Sequence, residues 1–276
     1  MMEITSLQNP KIKAAAALKD RRGREETGLF LIEGYRELKR AFEGDVHIKT
    51  LFICPELFLG VNEQALIDQI KADGAELYSC TAAVFQKFSY RDRPDGLIAV
   101  AYQMKHTLKD LFPIIESSKN PFFVIAESIE KPGNLGTILR SCDAVHVDAV
   151  IVCDKCTDIY NPNVVRASTG TLFTIPVVEA TSSETLLWLQ RHKVKVAAAT
   201  PSAKTEYTDA DFTGPVALAV GTEQLGLTEL WMKASDIQVS IPMLGVADSL
   251  NVASATTILL YEVLRQRKFY AKGIWK

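Results

Sequence analysis

Residues 216–226 read VALAVGTEQLG, an apolar run that stops at a glycine and gives way to a glycine-bounded polar turn. Three other segments share the continuous apolar character of this run: FFVIAE (122–127), AVIVC (149–153) and VKVAAAT (194–200). Strands covered on both faces, as in a parallel sheet, have this composition, whereas half-exposed strands alternate apolar and polar residues. Because helix-like stretches separate the runs, the sequence predicts an α/β fold built on a parallel sheet.

The part of the chain before these runs predicts a smaller α/β unit. We expect a domain at residues 1–104, a linker with some helix at 105–119 and the parallel-sheet domain at 120–276. Helices are predicted at 11–20, 34–42 and, as the last element of the chain, 251–270; strands are predicted at 49–54, 76–79 and 97–103. The basic stretch KDRRGREETG (19–28) is predicted to be a surface loop, either simply solvated or in contact with RNA phosphates.

The bulk composition is that of a soluble globular protein. The 276 residues are 47% hydrophobic and 23% charged, with a formal net charge of −2. This balance argues against a surface coated in basic charge, but a local basic face for RNA remains compatible with it. No signal segment or membrane-length apolar run occurs, so we expect a cytoplasmic protein that does not associate with membranes.

The five cysteines raise the question of a zinc site. An odd number without framework spacing indicates reduced thiols rather than disulfides. Cys153 and Cys156 form one C-x-x-C pair, near Cys142 and His146, but a structural zinc site usually needs a second pair. We therefore interpret these cysteines as small buried thiols and expect no metal.

Three polar clusters each follow a predicted strand: EKPGNLGTILR (130–140), GTEQLG (221–226) and IPMLGVADSLN (241–251). The carboxyl ends of parallel strands meet at one edge of a sheet, where ligands bind. Segments far apart in sequence are therefore expected to build one site.

Each polar residue in these clusters also has a purely structural interpretation. Asn134 suits the N-cap of the first helix, and Arg140 could be a solvated arginine on it. Glu223 could be an acid at the start of the next helix. Ser249 and Asn251 could cap the last one. The motifs for other chemistries are incomplete or absent: the dinucleotide glycine fingerprint is partial, and the chain has no phosphate-binding G-x-x-x-x-G-K-[ST] and no G-x-S-x-G.

Taken together, the three clusters resemble the signature motifs of the SpoU (TrmH) family of RNA 2′-O-ribose methyltransferases, in the SPOUT superfamily. PGNLGTILRSCDA is similar to the first motif, ALAVGTEQLGL to the second and IPMLGVADSLNVASATTILLYE to the third. The resemblance is strong from residue 121 to about 267. The N-terminal part, with SLQNPKIK and FLIEGYRELKRAF, is similar to the family's substrate-binding domain, an α/β/α fold akin to certain ribosomal proteins.

The resemblance implies a deep trefoil knot in the C-terminal domain, a rare exception to the usual topology rules. It also implies a homodimer formed through that domain and S-adenosyl-L-methionine as cofactor. Matching the motifs residue by residue places the cofactor against Gly221, Ile241, Met243 and Leu250. The same matching places the catalytic side at Asn134, Arg140, Glu223, Ser249 and Asn251. The chain departs from the family at Lys131, where Asp or Asn is common, and we expect this to affect the local loop or RNA contact.

The expected function is methyl transfer to a ribose 2′-hydroxyl of a structured RNA, with rRNA favoured over tRNA. Because a guanidinium keeps its proton, Arg140 is expected to hold a phosphate and stabilise a developing alkoxide rather than act as a base. A non-catalytic RNA-binding or ribosome-assembly protein on the same fold is the second interpretation. A nucleotide-binding oxidoreductase is the third, and the missing glycine fingerprint disfavours it.

Overall fold

The computed structural model describes residues 2–267. Its strands are β1 (Met2–Ile4), β2 (Leu29–Glu33), β3 (Ile48–Ile53), β4 (Glu76–Cys80), β5 (Leu97–Tyr102), β6 (Phe122–Glu127), β7 (Ala149–Cys153), β8 (Val177–Ala180), β9 (Lys195–Ala199), β10 (Thr205–Glu206), β11 (Val216–Val220) and β12 (Ile237–Ser240). Its α-helices are α1 (Pro10–Ala17), α2 (Arg21–Thr27), α3 (Tyr35–Glu43), α4 (Glu63–Ala72), α5 (Ala82–Phe88), α6 (Phe112–Ser117), α7 (Pro132–Ala144), α8 (Pro162–Ala167), α9 (Ser182–Arg191), α10 (Glu229–Ala234) and α11 (Val252–Gln266).

Internal contacts divide the chain into two compact units. The first contains residues 2–104 together with 158–174, and the second contains 105–157 together with 175–267. Segment 158–174 belongs to the first unit because its aromatic side chains pack there: the ring of Tyr160 lies 4.6 Å from that of Phe30 on β2. The segment expected to be a linker carries Leu111, which is fully buried in the core of the second unit. The predicted domain boundaries at 104 and 120 stay predictions.

The second unit is built on a seven-stranded sheet in the order β10-β12-β9-β11-β6-β7-β8, and every pairing in it is parallel. Its central strands β6, β7 and β11 are buried along their whole length, as continuous apolar runs require. The predicted α/β fold with a parallel sheet is therefore confirmed. Strands β8, β10 and β12 were not predicted because they are short and their exposure alternates or is mixed.

The strand order reverses direction beside β6. From β6 the chain moves outward through β7 to β8, and it then crosses to the far side and inserts β11 between β9 and β6. Such a reversal opens a crevice at the carboxyl ends of the flanking strands. The loops after β6, β11 and β12, which carry the three polar clusters, therefore end at the same edge of the sheet.

The first unit contains a five-stranded mixed sheet in the order β1-β4-β3-β5-β2. β4 pairs in parallel with β1 and β3, whereas β5 is antiparallel to β3 and β2. One core packs on this sheet between α1 and α5 and contains Phe52, Phe85 and Phe88. The predicted N-terminal α/β domain is confirmed, with β3, β4 and β5 within a residue or so of their expected positions.

Within the basic stretch 19–28, residues 21–27 form a helix and not the loop that their composition suggested. On helix α2, Arg21 and Arg22 pair with Glu25 and Glu26 one turn later, at 2.7 and 2.6 Å, and these exposed pairs support the helix modestly. Gly23 is required there, since a Cβ on it would lie 2.2 Å from the carbonyl oxygen of Ala17. The helix ends at Gly28, whose φ of 66° is left-handed.

Arg24, on the same helix, is unavailable to RNA. It is 1% exposed and donates to Asp158 at 2.6 Å and to the carbonyl oxygens of Leu18 and Lys19 at 2.8 Å. The expectation that this stretch contacts phosphate is thus wrong for its central arginine.

The C-terminal helix begins at Val252, one residue after its predicted start at Asn251, and is described to Gln266. Leu259 and Val263 are buried on its apolar face, whereas Tyr270 and the rest of the predicted helix after 267 lie outside the described residues. None of the helices within residues 2–267 combines the length and the apolar character that a membrane span requires. The trefoil knot stays a prediction.

Candidate functional site

A cavity of about 470 Å³ opens at the carboxyl edge of the parallel sheet. Its walls come from the ends of β9, β11 and β12, from the loops that follow them and from the first turns of α11: Ala199, Thr200, Pro201, Val220, Gly221, Thr222, Glu223, Gln224, Leu225, Gly226, Val239, Ile241, Met243, Asp248, Ser249, Leu250, Val252 and Ala255. All four residues predicted to hold the cofactor line this cavity. Glu223 and Ser249 line it as well.

The loop after β11 is a tight turn that requires glycine at both ends. Thr222 and Gly226 exchange both backbone hydrogen bonds, each at 3.1 Å, and Gly226 has a φ of 68°. A Cβ on Gly221 would lie 2.2 Å from the carbonyl oxygen of Gly226, so only glycine fits where these backbones meet. The turn thereby presents Glu223 beside the cavity.

The loop after β12 divides between the cavity and the solvent. Ile241 and Met243 are half-buried against the cavity, and Leu250 is 37% exposed. Leu244 and Val246, in contrast, are 98% and 104% exposed. Two large apolar side chains therefore stand in solvent beside the site.

Residues from all three clusters meet at Glu223. The side-chain amide of Asn134 donates to Oε1 of Glu223 at 2.7 Å, and that of Asn251 donates to the same oxygen at 2.6 Å. Asn251 also donates to Oδ1 of Asn134 at 3.2 Å. Three residues separated by up to 117 positions in sequence thus form one polar cluster at the cavity.

Asn251 both caps a helix and takes part in the polar cluster, the two roles that its sequence position suggested. It is the N-cap of α11, where its Oδ1 accepts from the backbone N–H of Ala253 and Ser254 at 3.0 and 3.4 Å. Its Nδ2 remains available for Glu223. Capping therefore fixes the rotamer that aims the amide at the site.

Asn134 is not the N-cap that the sequence suggested. Helix α7 begins at Pro132, with Lys131 at the N-cap position and no capping side chain. Proline suits the first helical position because its fixed φ matches the helix and no N–H is lost, so the N-cap lies three residues earlier than expected. Asn134 instead lies in the first turn, and its side chain points to Glu223.

The second oxygen of Glu223 is paired with Lys131, whose Nζ donates to Oε2. This contact with Lys131, followed by the Asn134 hydrogen bond, lowers the pKa of Glu223 below its ordinary value. Glu223 is therefore an ionised hydrogen-bond acceptor at neutral pH. It is not an acid that caps α10, because the N-cap of that helix is Thr228.

Arg140 and Ser249 make no side-chain hydrogen bond or ion pair among residues 2–267. Arg140 is exposed in the third turn of α7, and no hydrogen bond or ion pair joins it to another residue within 2–267. Ser249 is exposed and lines the cavity, whereas Arg140 does not. Helices α7 and α11 pack together, with Ser141 and Thr257 hydroxyls 2.7 Å apart, so the helix that carries Arg140 lies beside the helix that Asn251 caps.

The comparisons with known proteins identify the family. The model of the SpoU rRNA Methylase family matches residues 121–261, which is more than half of the chain. This chain belongs to the SpoU rRNA methylase family. A second model, the MRM3-like substrate binding domain, matches residues 9–99 of this SpoU-family chain. The family predicted from the three motifs is therefore confirmed.

Individual known proteins match over nearly the whole chain. The 23S rRNA (uridine(2479)-2′-O)-methyltransferase of Streptomyces viridochromogenes is 32% identical over 91% of this chain and 88% of its own. A solved RNA 2′-O ribose methyltransferase is 39% identical, with a TM-score of 0.79 over 96% of this chain and 99% of its own. An AdoMet-bound rRNA methyltransferase from Sinorhizobium meliloti is 31% identical, with a TM-score of 0.86 over 95% and 97%.

Part of this SpoU-family cavity was missed from the sequence. Ala199, Thr200 and Pro201 form a wall at the end of β9, where no polar cluster drew attention. The signal was available: VKVAAAT was predicted as a strand of the same sheet, so its carboxyl end had to lie at the same edge.

The cysteines of the SpoU-family chain are dispersed. Cys142 and Cys153 are buried, as expected, but Cys156 is exposed, so its predicted burial is wrong. Cys156 follows the end of β7 in the loop, where the strand no longer shields it. Within residues 2–267, no group of three or more His, Cys, Asp or Glu side chains is arranged to bind a metal ion.

Proposed function

We propose that this SpoU-family chain transfers a methyl group from S-adenosyl-L-methionine to a ribose 2′-hydroxyl of large-subunit ribosomal RNA. The observation that carries the proposal is the meeting of the three motif loops at one cavity, with Glu223 held at its wall by Asn134 and Asn251. The Streptomyces relative, which is named for 2′-O-methylation of 23S rRNA, supports the choice of reaction and of RNA.

The residues of the cavity fit the cofactor. Its volume of about 470 Å³ is ordinary for a small-molecule site. Val220, Val239 and Ile241 offer apolar walls for a planar base, while Gly221 permits the tight turn whose residues line the cavity. S-adenosyl-L-methionine supplies an electrophilic methyl group when bound. Gly221, Ile241, Met243 and Leu250 would hold it.

The polar residues then act on the RNA ribose. Arg140 has no carboxylate partner among the described residues, so its guanidinium is available to bind a phosphate of the target nucleotide. Its charge would also stabilise the negative charge that develops on the 2′-oxygen as its proton leaves. Glu223 and Ser249 would orient the hydroxyl, and Asn134 and Asn251 would keep the Glu223 carboxylate in position.

We assign RNA binding outside the active site to the first unit. Residues 9–99 match a substrate binding domain, and the exposed side chains of Arg36, Arg93 and Arg166 have no carboxylate partner within residues 2–267. Arginine suits phosphate because its planar guanidinium can bind two oxygens at once. The buried Arg24 is not part of this surface.

We further propose that the chain works as a homodimer in the cytoplasm. Leu225, Leu244 and Val246 are almost fully exposed large apolar side chains beside the cavity, and a second copy of the chain would remove them from water. The expected mass by light scattering is twice that of the chain. A monomer at micromolar concentration would contradict this part of the proposal.

The experiment that tests the function uses the whole protein, radiolabelled S-adenosyl-L-methionine and total RNA from a strain that lacks the gene. Labelled RNA is sized, digested and its modified nucleoside identified. We expect label in 23S rRNA as a 2′-O-methylnucleoside. Label on a base, or RNA binding without any label when assembly-stage particles are also offered, would contradict the proposal.

A further inference from the structure

Hydrogen bonds on both sides of Lys131 hold its backbone at the start of helix α7. Its carbonyl oxygen accepts from the N–H groups of Asn134 and Leu135 at 3.0 and 3.2 Å, as expected at a helix N-cap. The preceding carbonyl, of Glu130, accepts from the hydroxyl of Thr157 at 2.5 Å. The Lys131 side chain makes no capping contact, so it is free to reach across to the loop after β11.

The Lys131 ammonium group occupies one of the positions at which the Glu223 carboxylate accepts a hydrogen bond. An ionised carboxylate has about four such positions, two on each oxygen. The amides of Asn134 and Asn251 take both positions on Oε1, and Lys131 takes one on Oε2. One position on Oε2 therefore remains, on a residue that lines the cavity.

A stabilising role for the pair is a poor explanation. The Lys131 side chain is 67% exposed, and exposed ion pairs contribute little to the stability of a fold. Direct use as a base is equally poor, because an ammonium group carries three donors and no acceptor. What the pair does achieve is to limit the orientations that the Glu223 carboxylate can take.

We propose that Lys131 is a positioning residue, which holds the Glu223 carboxylate so that its one remaining acceptor position on Oε2 faces the hydroxyl of the RNA ribose. The inference rests on the proposed function and assigns a role to a residue at which this chain departs from the usual family pattern. Lys131 is the charged group that acts on Glu223 among the described residues, since its other two partners are neutral amides. Its hydrogen bond is also the largest cause of the lowered Glu223 pKa.

The test compares Lys131→Met and Lys131→Arg with the wild type in steady-state kinetics. We expect Lys131→Met to lower kcat at least about tenfold, as loss of alignment does, with little change in KM for RNA. Lys131→Arg should restore most of kcat. Lys155→Met is the matched control, because Lys155 makes a similar exposed pair with Glu179, at 2.8 Å, outside the cavity. It should leave kcat unchanged.

A second measurement does not depend on activity. The side-chain carboxyl ¹³C signal of Glu223, assigned with Glu223→Gln, is titrated in the cofactor-free protein. In Lys131→Met its midpoint should move up toward the ordinary glutamate value, and in Lys131→Arg it should stay low. If the wild type transfers no methyl group, the proposed function is wrong. The titration still tests whether Lys131 acts on Glu223, because it needs no activity. A titration midpoint of Glu223 that does not move in Lys131→Met would overturn the inference. A raised KM for RNA with unchanged kcat would also overturn it, because Lys131 would then be a contact to an RNA phosphate.

Discussion

Asn251 donates to Glu223 at 2.6 Å with the same side chain whose oxygen caps helix α11. Asn251→Asp separates these two duties, because aspartate caps a helix as well as asparagine does but cannot donate to a carboxylate. It also places a like charge beside Glu223. We expect kcat to fall by roughly 10²-fold through misplacement of Glu223, with the unfolding midpoint nearly unchanged. Full activity in this variant would show that the Asn251–Glu223 contact is not used.

Arg140→Ala is expected to lower kcat by roughly 10²- to 10³-fold, the usual loss when one group that stabilises transition-state charge is removed. Affinity for S-adenosyl-L-methionine, measured by calorimetry, should stay within a factor of about two, because Arg140 does not line the cavity. Arg140→Lys distinguishes the chemistry: if lysine keeps most of the activity, two-point binding of a phosphate by the guanidinium is not needed.

Gly221→Ala is expected to weaken cofactor binding. The added Cβ would lie 2.2 Å from the Gly226 carbonyl oxygen, so the backbone of the turn has to move. Overpacking of this kind costs roughly 1–3 kcal/mol, which corresponds to a rise in Kd of roughly 5- to 150-fold. Gly133→Ala is the matched control, since its Cβ would meet nothing within 4 Å. Equal Kd values for both variants would contradict the role of the turn.

Arg24→Ala is expected to destabilise the first unit strongly. Removing one partner of a buried ion pair leaves Asp158 uncompensated and costs roughly 3–5 kcal/mol. Arg22→Ala, which breaks the exposed pair with Glu26 on the same helix, should cost less than about 1 kcal/mol. Urea unfolding of both variants measures the difference. Similar losses in the two would mean that burial of Arg24 is not what matters.

Because of its buried cysteine thiols, we expect the folded protein to lose stability at alkaline pH. Burial raises the pKa of both Cys80 and Cys153 to about 12. The unfolded chain loses these protons from about pH 8.5. The contribution of the thiols to the free energy of unfolding is therefore fully present below that pH. It is lost as the pH rises toward 12, at about 1.4 kcal/mol per pH unit for each group. Cys153→Ala should show a correspondingly shallower fall in unfolding free energy between pH 9 and 11; an identical slope would contradict burial.

Several features of this chain were accessible from sequence because they depend on neighbours along the chain. Strands β6, β7 and β11 are continuous apolar runs, and a buried parallel strand needs nothing else to be recognised. The turn at residues 221–226 follows from two glycines that the backbone requires. The rule that carboxyl ends of parallel strands share an edge predicted that the three polar loops would meet. The assignment of Gly221, Ile241, Met243 and Leu250 to the cofactor came from the resemblance of those loops to the family motifs.

Errors arose where the environment of a side chain is set from far away in sequence. Helix α2 is a different kind of error, because its i,i+4 pairs and the approach of Gly23 to Ala17 act within six residues, and only its polar composition suggested a loop. The wall of Ala199, Thr200 and Pro201 carries no motif of its own. It joins the cavity only because β9 lies next to β11.

By itself, the sequence determined the α/β class, the parallel sheet and the three loops that build the site, because apolar periodicity, glycine turns and helix caps act over a few residues. Tertiary structure alone decided which charges pair across long stretches of sequence. Lys131 pairs with Glu223, 92 positions away, and Arg24 pairs with Asp158, 134 positions away. A long side chain can reach any acceptor within several ångströms, and only the folded backbone determines which acceptors those are.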